Sequence, residues 1–183
     1  LNIISVFSFI GISLGVAVLI IVMSVMNGFR TELINKIVGF NAHAVVKPYD
    51  NSISSESYIS NSFLKNNVSS IVYSNDGEAL ILNKDNTKGI LLKGYSKKDF
   101  KNLEIVKNNE FYGNKELNEN TISIGRELSF ILNLDVGDPV TLMSPAGVHT
   151  VIGTLPKQET FKVTSIFDSG LANFNENVAY INL

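Results

Sequence analysis

Apolar positions fall into three patterns along the chain, and each predicts a different kind of element. Residues 1–29 carry no charged side chain, and positions 11–23 are almost wholly apolar. A hydrocarbon core of about 30 Å needs roughly 20 residues at about 1.5 Å rise each, so this stretch predicts a transmembrane helix over residues 1–29. The competing reading is a secretory signal peptide, whose apolar region runs to about 7–15 residues and ends in a small-residue cleavage site. The string Ser24-Val25-Met26-Asn27-Gly28-Phe29 does not resemble such a site.

The pattern then turns amphipathic. Phe29, Leu33 and Ile37, with Ile34 and Val38, hold an i, i+4 stripe, while Arg30, Glu32, Asn35 and Lys36 take the other positions. This predicts a stalk helix over residues 30–40 that continues the span as a rigid lever and ends at Gly39 as a left-handed cap.

Beyond the stalk the period shortens to that of strands. Residues 42–47 read as a first strand closed by Pro48, and 54–65 as a short helix. Strands follow at 68–74, 78–83 and 89–95, the last two joined by an Asp85-Asn86-Thr87-Lys88-Gly89 turn. Residues 97–107 look helical or irregular, with Phe100, Leu103 and Val106 inward. A strand at 121–124, a short amphipathic helix at 125–132, a turn at 134–139 and a strand at 140–143 come next. Residues 144–157 form a long excursion before strands at 160–167 and 177–181. The fold class expected is α+β: a transmembrane helix and stalk, then a mixed-sheet domain over residues 41–183 with a long hairpin hook. The chain begins inside an apolar run and stops in a strand-like segment, which reads as a piece of a longer protein.

Composition narrows the chemistry. The mean hydropathy of +0.18 comes from the first segment alone, and a formal net charge of -2 supplies no basic stripe for nucleic acid. Zero cysteines exclude disulfides, thiolate metal sites and cysteine nucleophiles. The two histidines, His43 and His149, are isolated in sequence, whereas metal ligation wants clustered donors. Asp135 and Asp138 sit where turn geometry already accounts for them. There is no Gly-rich phosphate loop. We therefore expect no enzyme, no catalytic residue, no metal and no cofactor. Within the span, Gly11 and Gly15 stand in the small-xxx-small relation that lets a second helix approach closely.

The strings Ile10-Gly11-Ile12-Ser13-Leu14-Gly15-Val16 and Ser24-Val25-Met26-Asn27-Gly28-Phe29 resemble the first span of the lipoprotein-releasing ABC transporter permeases. Ile124-Gly125-Arg126-Glu127-Leu128, Leu134-Asp135-Val136-Gly137-Asp138 and Phe167-Asp168-Ser169-Gly170-Leu171 resemble later elements of that family. The resemblance implies a type VII ABC permease of the bacterial inner membrane, with a MacB-like periplasmic core after residue 29. Its implied partners are an ABC ATPase subunit on a separate chain, a second permease subunit, a lipoprotein substrate and a periplasmic lipoprotein chaperone. A related mechanotransmitting permease, working a periplasmic partner without moving lipid, is the alternative.

Two sites follow. Val22, Met23 and Met26, about one helical turn or less apart near the outer end of the span, could line the route of acyl chains, since thioethers adapt to variable apolar ligands. Packing against a neighbouring helix accounts for them equally well. The excursion resembles the chaperone-docking hook of single-permease members through Pro145, Gly147, Thr150, Gly153 and Pro156, with Val148, Val151, Ile152 and Leu155 as its apolar contacts. It departs from them at Val151, where proline is expected, and at Glu159, where some members carry a basic residue.

Overall fold

The computed structural model describes residues 2–40, 44–47, 67–68, 71–84, 86–108, 110–150 and 153–183. It divides into two compact units, Leu1–His43 and Ala44–Leu183.

The first unit is one helix, α1 (Asn2–Phe40). It contains no proline, and its first charged residue is Arg30, so nothing interrupts the backbone ladder. Ile3–Ile34 is long and apolar enough to cross a membrane, and none of it is buried. The helix passes through Gly39 rather than capping there. Near its polar end the Thr31 hydroxyl donates to the Asn27 carbonyl, 2.9 Å away.

The second unit is a mixed sheet with short helices. In chain order these are β1 (Ser74–Asn83), β2 (Asn86–Tyr95), α2 (Lys97–Asn102), α3 (Glu104–Asn108), β3 (Glu110–Gly113), β4 (Thr121–Gly125), α4 (Arg126–Leu132), β5 (Pro139–Thr150), β6 (Gly153–Asp168), α5 (Ala172–Asn177) and β7 (Val178–Asn182). The strand order is β3-β6-β4-β7-β2-β1-β5, and β5 also pairs with β6. Pairing therefore closes a circuit of six strands, and β3 attaches to β6 outside it. The β2–β7 and β4–β6 pairs are parallel and the others antiparallel.

Both faces of the central strands are buried. On one face Ile122, Ile124, Val163 and Ala179 join Ile81, Ile90, Val140 and Leu142, covered by Leu128 and Leu132 of α4. On the other, the rings of Phe100, Phe111, Phe167, Phe174 and Tyr180 pack tilted or edge-on at 5.1–6.4 Å between centroids. Burial pushes the Tyr180 hydroxyl well above the usual phenol range. The register of β4 on β6 slips between Ile122 and Ser123. That one-residue bulge moves Ser165 opposite Ser123 on the aromatic face, where the Ser165 hydroxyl donates to Ser123 at 2.8 Å, both fully buried.

Several expectations change. Residues 44–47 form no strand, and the helix expected at 54–65 lies outside the described residues. Residues 71–73 are irregular, because the partner strand β2 ends at Tyr95, opposite Ser74. The β1–β2 hairpin forms, but around a tighter turn: Asn83 pairs with Asn86, and Lys84 takes φ 52°, as a two-residue hairpin turn requires. Residues 86–89, expected as the turn, instead open β2. Phe100 and Val106 are buried as expected, with Ile105 beside them. Neither β3 nor α5 was anticipated.

Candidate functional site

The 144–157 excursion is a two-stranded ribbon rather than a loop. Strand β5 pairs with β1 only over Thr141–Met143, and β4 meets β6 only from Lys162 onward. Among the described residues, positions 144–150 and 153–157 pair only with each other, while 158–161 pair back to 140–143 at the sheet, so the hairpin runs out from the closed sheet. Its base keeps regular register from Pro139↔Lys162 to Ser144↔Lys157, and its outer part resumes at Val148↔Leu155, His149↔Thr154 and Thr150↔Gly153.

Between these ladders Pro145, Ala146 and Gly147 face the single residue Pro156, and Gly147 takes φ 28°. Neither proline can donate a ladder hydrogen bond, which is why the strands part here. Pro145 and Pro156 are exposed, and Leu155 is 53% exposed. Lys157 and Glu159 pair at 2.8 Å on the open surface, where such a pair contributes little. Val151 and Ile152 lie outside the described residues.

On α1, Val22, Met23 and Met26 share one helix face and are 54%, 61% and 61% exposed. A methyl group added at Gly11 or Gly15 would meet nothing within 4 Å. At about 3.6 residues per turn the two glycines fall on the same side of the helix as these three residues, and that side is open for a neighbour.

The structure also joins two motifs that are far apart in sequence. The C-terminal ends of parallel β4 and β6 lie side by side, Gly125 opposite Phe167, so Arg126 reaches Asp168 at 2.5 Å. Asn175 of α5 is fully buried beneath them. Its amide oxygen accepts from the Ser169 backbone N–H at 2.9 Å and from the Ser169 hydroxyl, and its amide nitrogen donates to Asp168 at 2.8 Å. This junction stitches the sheet to α5 by mutual hydrogen bonding. In the 134–138 turn Asp138 accepts from the Asp135 backbone N–H at 2.8 Å and Gly137 takes φ 106°, while the Gly137 N–H donates to the Val163 carbonyl at 2.8 Å and ties the turn to β6. Asp135 and Asp138 thus serve the turn. Among the described residues no cluster of three or more His, Asp or Glu could hold a metal ion.

A family profile described as MacB-like periplasmic core domain matches residues 5–183. The chain is 26% identical to a lipoprotein-releasing system transmembrane protein LolC of Xylella fastidiosa, over 100% of this chain and 45% of that protein. It is 26% identical to the LolC of Neisseria meningitidis, with the same coverage. It is 30% identical to the LolE of Haemophilus influenzae over 87% of this chain and 40% of that protein. The chain thus spans less than half the length of these relatives. An apolar helix followed by a mixed α+β sheet, matched to this profile over nearly its whole length, makes the chain a member of the MacB-like periplasmic core family, similar throughout to the permeases of lipoprotein-releasing systems.

Proposed function

We propose that this chain is the first span and periplasmic domain of a permease subunit that extracts lipoproteins from the bacterial inner membrane and passes them to a periplasmic chaperone. ATP hydrolysis resides on a separate ABC subunit, and a second permease, identical or paralogous, completes the membrane part. The observation that carries this reading is the β5–β6 ribbon, which extends beyond the closed sheet and carries an exposed leucine and two exposed prolines where the hook is expected. Apolar side chains on a protruding element are unfavourable for solubility unless a partner covers them. Val22, Met23 and Met26 would meet the acyl chains as they leave the bilayer, on a helix whose C-terminal end faces the periplasm.

Two experiments test the two ends of this route. Replacing residues 148–155 by a short Gly-Ser turn in the full-length permease should leave folding and ATP hydrolysis intact and weaken capture of the purified periplasmic chaperone by about tenfold or more. Undiminished capture would remove the hook from the mechanism. Photo-crosslinkers at Val22, Met23 and Met26 should trap lipoprotein during turnover; adducts with permease or ATPase subunits alone would make these residues helix-packing groups.

A further inference from the structure

Resting on the docking reading of the ribbon, we infer that the paired-proline bulge at its middle is a fixed elbow that aims the outer hairpin at its partner. Three residues, Pro145, Ala146 and Gly147, oppose Pro156 alone, two more than a regular ladder holds. Inserting two residues rather than one bends the strand yet keeps its alternation of faces, so the outer residues stay in phase with the base while the ribbon changes direction. Proline on both strands removes the N–H from two of the four residues at this level, so the register that sets Pro145 opposite Pro156 has no ladder bond to make. The joint is nonetheless stiff. Both prolines hold φ near about −65°, and Gly147 supplies the one left-handed residue, φ 28°, that closes the bend. Pro145 and Pro156 are exposed, so the bend is built from the two strands themselves rather than propped against the core. A stiff elbow presents the tip already oriented, which lowers the ordering cost of binding.

The test uses the full-length permease in its transporter complex, with spin labels on cysteines at Glu119 and Leu155, both exposed; residues 1–183 contain no cysteine, and any elsewhere in the complex is replaced by serine. The parent should give a single narrow distance distribution. Deleting Ala146 and Gly147 leaves one residue opposite one. It should move that distribution to a new value without broadening it, leave thermal unfolding unchanged, and weaken capture of the purified periplasmic chaperone by about tenfold or more. The double substitution Pro145→Ala with Pro156→Ala restores two donors and frees φ, and should broaden the distribution while the domain stays folded. A broad distribution in the parent would overturn the elbow, as would capture within about twofold of the parent in the deletion variant. If the Gly-Ser tip replacement abolishes capture and the deletion does not, docking stands and the elbow falls. If the tip replacement itself leaves capture intact, the docking reading fails and the elbow fails with it.

Discussion

Gly125→Ala is expected to destabilise the mixed-sheet domain by about 3 kcal/mol, at the upper end of what overpacking costs. The backbone at this position, φ −75° and ψ 156°, suits any residue, so the effect is one of contact alone. A Cβ built here would lie 2.0 Å from the Asn175 carbonyl oxygen and 2.5 Å from its carbonyl and α carbons. These are backbone atoms, and they cannot retreat without pulling the Asn175 side chain from Ser169 and Asp168. A loss of this size in a domain of this length lowers the melting temperature by roughly 10 °C, readable by calorimetry. Gly77→Ala is the control: nothing lies within 4 Å of its Cβ, and alanine suits a strand interior better than glycine. Its melting temperature should hold or rise. A fall of under about 2 °C for Gly125→Ala would mean that α5 steps back freely and that the junction is loose.

Asn175→Ala carries the second large effect, about 2–4 kcal/mol. The side chain is fully buried and makes three hydrogen bonds, two accepted from Ser169 and one donated to Asp168. Truncation leaves the Ser169 backbone N–H without its acceptor in a buried position, and the desolvation cost of an unmade bond exceeds the net gain from a made one. Asp168 keeps Arg126 and the Gly170 N–H, so the carboxylate itself stays paired. Denaturant unfolding should show a lower midpoint with an unchanged slope. Since Gly125 and Asn175 meet in one contact, the double variant should lose clearly less than the sum of the two singles. Full additivity would show that the clash and the network are independent.

The parts read correctly from sequence are those where one local signal decides the outcome. An uncharged run of this length has few alternatives to a long apolar helix, and α4 follows from its stripe of Leu128 and Leu132, with Asn133 at φ 50° closing it in the left-handed region. The 134–138 turn is equally legible, because Gly137 and Asp138 supply the geometry the turn needs. Where tertiary contacts decide, the sequence misleads. Three of the six residues of α5, Ala172–Asn177, are asparagines with poor helix propensity; its place depends on Asn175 and on the Phe174 ring against Phe167. Strand β3 is four residues long and exists because β6 offers it an edge. The ribbon was legible as an excursion but not as paired strands. Proline and glycine signal loops, whereas here Pro145, Gly147 and Pro156 gather in one bulge while the residues on either side pair. Of the site, the position of the protruding ribbon could be read from the chain as an excursion, but the meeting of Arg126 with Asp168 could not, since it depends on β4 and β6 lying parallel.

The proposed docking at the ribbon tip is tested most directly by a photo-crosslinker placed at Leu155 of the full-length protein, in complex with the ATPase proposed above and exposed to the proposed periplasmic chaperone. Phe130 of α4 is the matched control, as a large apolar residue of the same domain that is 75% exposed against 53% for Leu155. If the ribbon is the docking element, the Leu155 probe yields the permease–chaperone adduct and the Phe130 probe, though more exposed, yields none. An adduct from Phe130 with none from Leu155 would contradict it.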